Sequence, residues 1–230
     1  MASVQNLYKQ IPPEKSYLSK DDEAYFRRVF EEQAARSYLY LSLGIGLIAL
    51  LLPGLLVWRG GYSIHDSISS FYTTDVRSSR DVMVGLLCAV GEFLFLFHGL
   101  SKWENRLLNV AGGAIIFVAW IPMYVSELMH RGLAVLFFLM IGIVAIFFSK
   151  GRIKDVPHQR ARRVFASLYT GAGIAMIGLP LSIAVLQFTP WRFDHYMFWI
   201  EFFAIMAFAI YWFVKTAEYR MLLGIRWFAP

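Results

Sequence analysis

The sequence predicts an all-α, polytopic integral membrane protein with six transmembrane helices, both termini cytoplasmic, and an N-terminal interfacial amphipathic helix. Three observations carry this. Hydrophobic residues make up 58% of the 230-residue chain and charged residues only 17%, against about 45–50% and roughly 25% in a soluble domain. The apolar excess falls into separate runs of about twenty residues, the length a helix needs to cross the hydrocarbon core. Lys and Arg gather on alternate sides of those runs.

Residues 1–36 read as a cytoplasmic segment. Its first apolar run begins only near residue 37, behind charges and Pro12-Pro13, so no cleavable signal peptide is expected. Ser19 with Asp22 three residues on is a capping-box pattern. Tyr25, Phe26, Val29 and Phe30 follow as an apolar stripe at helical spacing, which predicts a helix lying on the inner leaflet. The six spans fall at 37–58, 81–98, 108–125, 132–149, 164–188 and 196–214, so that 37–214 is the membrane domain and 215–230 a cytoplasmic tail. None holds Lys or Arg away from its edges, as expected where a central cation is costly. Pro53, Pro122 and Pro180 each remove a backbone donor inside a span and should kink it. Gly112, Gly113, Gly171, Gly173 and Gly178 would let neighbouring helices approach closely.

Seventeen Lys and Arg lie in the N-terminal segment, the 99–107 and 150–163 loops and the tail, against five in the other loops. The positive-inside rule then makes both termini cytoplasmic. The stretch "KGRIKDVPHQRARR" carries six cations and one Asp, and reads as a topology determinant that also touches anionic lipid head groups. The sequence pI near 9.5 therefore reflects topology, and the bilayer, not nucleic acid, is the expected partner. Cys88 is the lone cysteine, so no intrachain disulfide forms.

That orientation places three polar loops outside, and each holds one histidine with an acid nearby: His65 beside Asp66, His130 three residues after Glu127, and His195 beside Asp194. Neutral imidazoles backed by carboxylates build catalytic metal sites, and three His with an open position is a zinc arrangement. Zinc is thus the candidate cofactor. Histidine near a membrane interface is often only a hydrogen-bonding, amphipathic side chain. Ser63, His65, Asp66, Ser67, Ser69 and Ser70 also supply the ingredients of a nucleophile–base pair, without a G-x-S-x-G elbow. A short interfacial helix capped by Asp66, with Ile68, Phe71 and Tyr72 facing lipid or core, explains the same stretch.

Two acids lie within spans. Glu92 sits about 16 Å below Asp81 and Glu201 about 8 Å below the start of its span, at 1.5 Å per residue. Intramembrane carboxylates face the bundle interior and are functional by default. No Lys or Arg at the depth of Glu92 is available to pair with it, which leaves a neutral acid, a solvated cavity or a bound cation. Asp194, His195 and Tyr196 lie one or two turns above Glu201, which suggests one outward-opening polar pocket.

The strings "DSISSFYTTDVRSSRDVMVGLLCAVGEFLFLFHG", "LMHRGLAVLFF" and "FWIEFFAIMAFAIYWFVK" resemble those of uncharacterised bacterial six-span membrane proteins. These carry a Ser-Ile-Ser…Tyr…Arg-Asp…Val-Gly stretch and a Phe-Trp-x-Glu start to the last span. The likeness covers residues 58–215 loosely and picks out Ser67, Ser69, Tyr72, Arg80, Asp81, His130 and Glu201. It implies a multi-pass protein of the bacterial inner membrane and brings no known activity. More distantly, the chain is similar to the superfamily of alkaline ceramidases and adiponectin-receptor-like membrane hydrolases, which use a Ser, an Asp and three His around zinc. It departs from them in lacking H-x-x-x-H and in having six spans where they have seven.

The reading that joins these features is a membrane-embedded hydrolase acting on a lipid or amphiphile. His65, His130 and His195 would be metal ligands or acid–base groups, Ser67 a nucleophile, and Glu201 or Asp81 would orient water. One alternative is a proton- or cation-coupled transporter or channel using Glu92. Another is a non-catalytic subunit or scaffold, whose seven Trp and twenty Phe would face partners.

Overall fold

A computed structural model describes residues 20–72, 77–99, 101–151, 153–186, 189 and 193–224. Ser19 of the capping-box pattern lies outside them. All the secondary structure of the described residues is helical, and its long elements are α1 (Lys20–Arg59), α2 (Arg77–Leu96), α3 (Lys102–Trp120), α4 (Glu127–Ile143), α5 (Gln159–Leu186) and α6 (Tyr196–Leu223). Four stretches, those of α1, α4 with its continuation, α5 and α6, are long and apolar enough to cross a membrane. The other two helices have 20 and 19 residues and open on charged turns, Arg77-Arg80-Asp81 in α2 and Lys102-Glu104-Arg106 in α3.

Each helix packs on its neighbours in the chain, and α6 closes back onto α1, so the six form a ring. Local chemistry sets the helix ends. Ser101 and Ser126 accept the N–H groups of Glu104 and Met129 and start α3 and α4, while Gly224 at φ 63° stops α6. α4 runs on as a π-helical turn over Val144–Phe148.

Several boundaries differ from those read in the sequence. The amphipathic stripe of Tyr25, Phe26 and Phe30 is exposed, but it belongs to one unbroken helix of 40 residues that continues through Arg59, without a break at residue 36. Likewise α6 passes through position 215 to Leu223, with Lys215, Thr216, Glu218 and Tyr219 buried. Pro53 and Pro180 lie inside helices. Pro122 does not: α3 ends at Trp120, because a proline disfavours helical geometry in the residue before it.

Two glycine pairs let neighbouring helices approach closely. A Cβ on Gly91 would lie 2.8 Å from the Gly112 carbonyl oxygen, and one on Gly142 3.0 Å from that of Gly173. A Cβ on Gly171 or Gly178 would meet nothing within 4 Å, so these two are not contact sites. Gly91→Val should therefore destabilise by about 1–3 kcal/mol through overpacking. Gly171→Ala should be neutral or stabilise by up to about 1 kcal/mol, since glycine weakens a helix interior. Thermal unfolding of both variants in detergent checks the contrast.

The polar stretch after α1 folds into one mouth of the ring. Gly60 leaves room for the Phe71 ring, which a Cβ there would meet at 2.5 Å. Ile68 and the wholly buried Phe71 then pack against Leu52, Leu56, Met83 and Phe198. This loop is a plug seated on α1, α2 and α6.

Candidate functional site

Three hydrogen bonds seat the plug on α6, and a fourth shapes it from within. The Phe198 N–H, in the first turn of α6, donates to the Asp66 carbonyl at 3.0 Å. Ser67 Oγ accepts the Ser70 N–H at 3.1 Å, and so caps the short 3₁₀ helix Ser69–Tyr72. Glu201 Oε2 accepts the Ile68 N–H at 2.6 Å and, more weakly, the Ser69 N–H at 3.4 Å. A carboxylate in an apolar helix face thus satisfies backbone donors that would otherwise be buried unpaired.

This seating directs Ser69 at α4. Its Oγ lies 3.1 Å from Nε2 of His130, whose residue is 2% exposed. The other ring nitrogen, Nδ1, lies 2.8 Å from the carbonyl oxygen of Ile121, just beyond the end of α3. A carbonyl only accepts, so Nδ1 carries the hydrogen, and in that tautomer Nε2 is the acceptor for the Ser69 hydroxyl. A nucleophile, a base and a group that orients the base are therefore in line. The orienting group is a backbone carbonyl, which fixes the tautomer but stabilises an imidazolium less than a carboxylate would.

Ser69, His130 and Glu201 are the polar lining of a cavity of about 100 Å³ inside the ring. The remainder of its wall is apolar and comes from α1, α2, α3, α4, α6 and Ile68 of the plug. A second cavity, of about 330 Å³, lies between α4, α5 and α6. Ala134, Phe138 and Glu201 line both.

The other candidates lie elsewhere. His65 pairs with Ser63 Oγ at 3.3 Å and packs edge-on against Phe71, and His195 lies 3.5 Å from the exposed Asp66 carboxylate. The expected three-histidine site is not assembled: His130 has protein partners on both nitrogens, and among the described residues no three His, Cys, Asp or Glu gather to hold a metal. Glu127 pairs with Arg131 at 2.7 Å and not with His130. Ser67 is the cap of the 3₁₀ helix, so Ser69 replaces it as the serine aimed at a base. Asp81 is exposed beside Arg80, at 3.7 Å, away from both cavities. Glu92 is exposed on the outer face of α2, not turned into the bundle, because Val90 and Leu94 take the inward positions two residues to either side.

A second polar cluster, at the opposite end of the ring, was not read from the sequence. The Tyr169 hydroxyl donates to Glu218 Oε2, and Lys215 Nζ lies 3.9 Å from the same oxygen, with side chains 3% and 1% exposed. Tyr211 and Ser149 share a hydrogen bond of 3.1 Å, and Thr216 donates to Ser42 at 2.9 Å. Buried Glu104 interacts electrostatically with Tyr211. The cluster's signal was present: Tyr211, Lys215 and Glu218 follow helical spacing, and so do Trp212, Thr216 and Tyr219.

Comparison with known proteins finds no matching family model, no similar curated protein and no similar solved structure.

Proposed function

We propose that this chain is a membrane-embedded hydrolase acting on an acyl ester or amide of a lipid or amphiphile, with Ser69 as nucleophile and His130 as general base. The observation that carries the reading is the Ser69–His130–Ile121 alignment facing an apolar cavity. Ser69 Oγ attacks the acyl carbonyl carbon while its proton passes to His130 Nε2. The tetrahedral species collapses, and His130 returns that proton to the leaving alcohol or amine. Water then repeats the sequence on the acyl-serine, releasing the acid and restoring Ser69. Through its hold on Ile68 and Ser69, Glu201 positions the nucleophile. The two shorter helices complete a six-span topology, and the excess of Lys and Arg in alternate loops supports cytoplasmic termini. On that orientation, in a bacterial inner membrane, the Ser69 mouth opens outward. A proton or cation path through Glu92 would need that carboxylate inside the ring, whereas it lies outside it.

A fluorophosphonate probe tests the reading, with the adduct mapped by mass spectrometry on the intact protein. One adduct on Ser69 is expected, absent in Ser69→Ala and formed about 10²–10⁴-fold more slowly in His130→Gln, the usual contribution of a general base. An adduct at another serine, or none on folded protein, overturns it.

A further inference from the structure

The second cavity has no role in the steps above. At about 330 Å³ it falls at the low end of the roughly 300–1,000 Å³ of ligand pockets. It reaches the outer surface of the ring beside Leu128, which is 85% exposed, so its mouth faces the surroundings of the bundle and not the ring's interior. Val135, Ile183 and Ile200 give it an apolar wall. Pro180 lies on that wall and interrupts the hydrogen-bond ladder of α5 there. One cation lines it, Arg131, whose guanidinium is partly exposed and touches Glu127 Oε1 at 2.7 Å and Met197 Sδ at 3.8 Å.

We infer that this cavity takes one acyl chain of a membrane phospholipid from the side, with the head-group phosphate at Arg131. The occupant follows from three features together. An apolar slot opening sideways from an apolar bundle is reached from lipid, not from water. A guanidinium at its rim offers a fork of donors suited to phosphate oxygens. Its contact with Glu127 is an exposed pair on one helix, of a kind worth little, so a phosphate competes with it readily, and Glu127 then faces the ammonium of a zwitterionic head group.

Position links the slot to the serine. His130 and Arg131 are consecutive on α4, so their side chains leave the helix about 100° apart; His130 lines the inner cavity and Arg131 the lateral one. Phosphate and ester are likewise only a few bonds apart in a glycerophospholipid. A lipid anchored at Arg131 thus holds its ester beside Ala134, Phe138 and Glu201, the residues that also line the cavity of Ser69. This substrate assignment rests on the hydrolase reading, but the binding does not.

The test uses the full chain in nanodiscs containing a phospholipid with a diazirine on its acyl chain, and maps the photoadducts by mass spectrometry. Adducts should concentrate on Val135 and Ile183 over Phe95 and Leu96, exposed apolar residues of α2. They should fall at least about fivefold in Arg131→Gln and in the slot-filling Val135→Trp, recover in part in Arg131→Lys, which keeps the charge without the fork, and stay unchanged in Ser69→Ala. A diacylglycerol bearing the same diazirine should label the slot weakly, and free inorganic phosphate should not displace the phospholipid. Uniform labelling of all lipid-facing residues, or equal labelling in Arg131→Gln, overturns the site. Slot labelling without a fluorophosphonate adduct on Ser69 retains the lipid site and removes only the hydrolysis.

Discussion

Replacing Lys215 by Met is expected to destabilise the protein by about 3–5 kcal/mol, the usual loss when one partner of a buried ion pair is removed. Lys215 is 2% and Glu218 1% exposed, so neither charge is relieved by solvent when its partner goes. In the wild type the ammonium lies 3.9 Å from Glu218 Oε2 and 5.5 Å from the centre of the Tyr169 ring. Met fills much the same volume; what disappears is the positive charge opposite a carboxylate that also accepts the Tyr169 hydroxyl. The second substitution separates charge from packing. Glu218→Gln keeps an acceptor for Tyr169 while removing the negative charge, so Lys215→Met/Glu218→Gln should be more stable than Lys215→Met alone. Unfolding in detergent micelles, followed by the loss of helical circular dichroism, measures both. Equal stability of the single and double variants would mean that packing, not the ion pair, holds this end of the ring.

That cluster also shows what the sequence conceals. Lys215 ends a hydropathic run, and a run-based reading places it at the membrane edge as the first residue of a tail. Burial here is tertiary: α6 closes the ring against α1 and α5, so a polar turn beyond the apolar run still faces inward. Glu201 and Glu92 make the complementary case. Both are lone acids in apolar runs, and that signal alone treats them alike. Position on the helix separates them, since Glu92 is displaced by two residues from the inward Val90 and Leu94 and two residues turn a helix through about 200°. The partners of Glu201 were not legible, because they are backbone N–H groups of a loop 132 and 133 positions away. Ser67 and Ser69 are equivalent as letters, and only the turn that makes one a cap leaves the other to meet His130. The helical class and the greater part of each apolar run were visible, since periodicity and run length are local properties.

Turnover of an acyl ester should fall by about 10²–10⁴-fold or more in Ser69→Ala and in His130→Gln, with the double variant no worse than the lower single. Residues that act as one unit are strongly non-additive, because removing either already removes the nucleophile–base step. A structural Ser69–His130 bond would behave otherwise. Its loss would lower stability by about 0.5–1.5 kcal/mol and would leave whatever activity exists near wild type. Glu201→Gln gives the third readout. The amide oxygen still accepts from Ile68 at the position now held by Oε2, at 2.6 Å, so the plug should stay seated and its loss of turnover should be smaller than that of Ser69→Ala. Glu201→Leu removes the acceptor and leaves the Ile68 and Ser69 N–H groups buried without one, at about 1–3 kcal/mol for each group stranded. A positioning role for Glu201 therefore requires the order Gln above Leu in both turnover and stability. If Gln and Leu are equally inactive while Gln remains as stable as wild type, the carboxylate takes part in the chemistry itself.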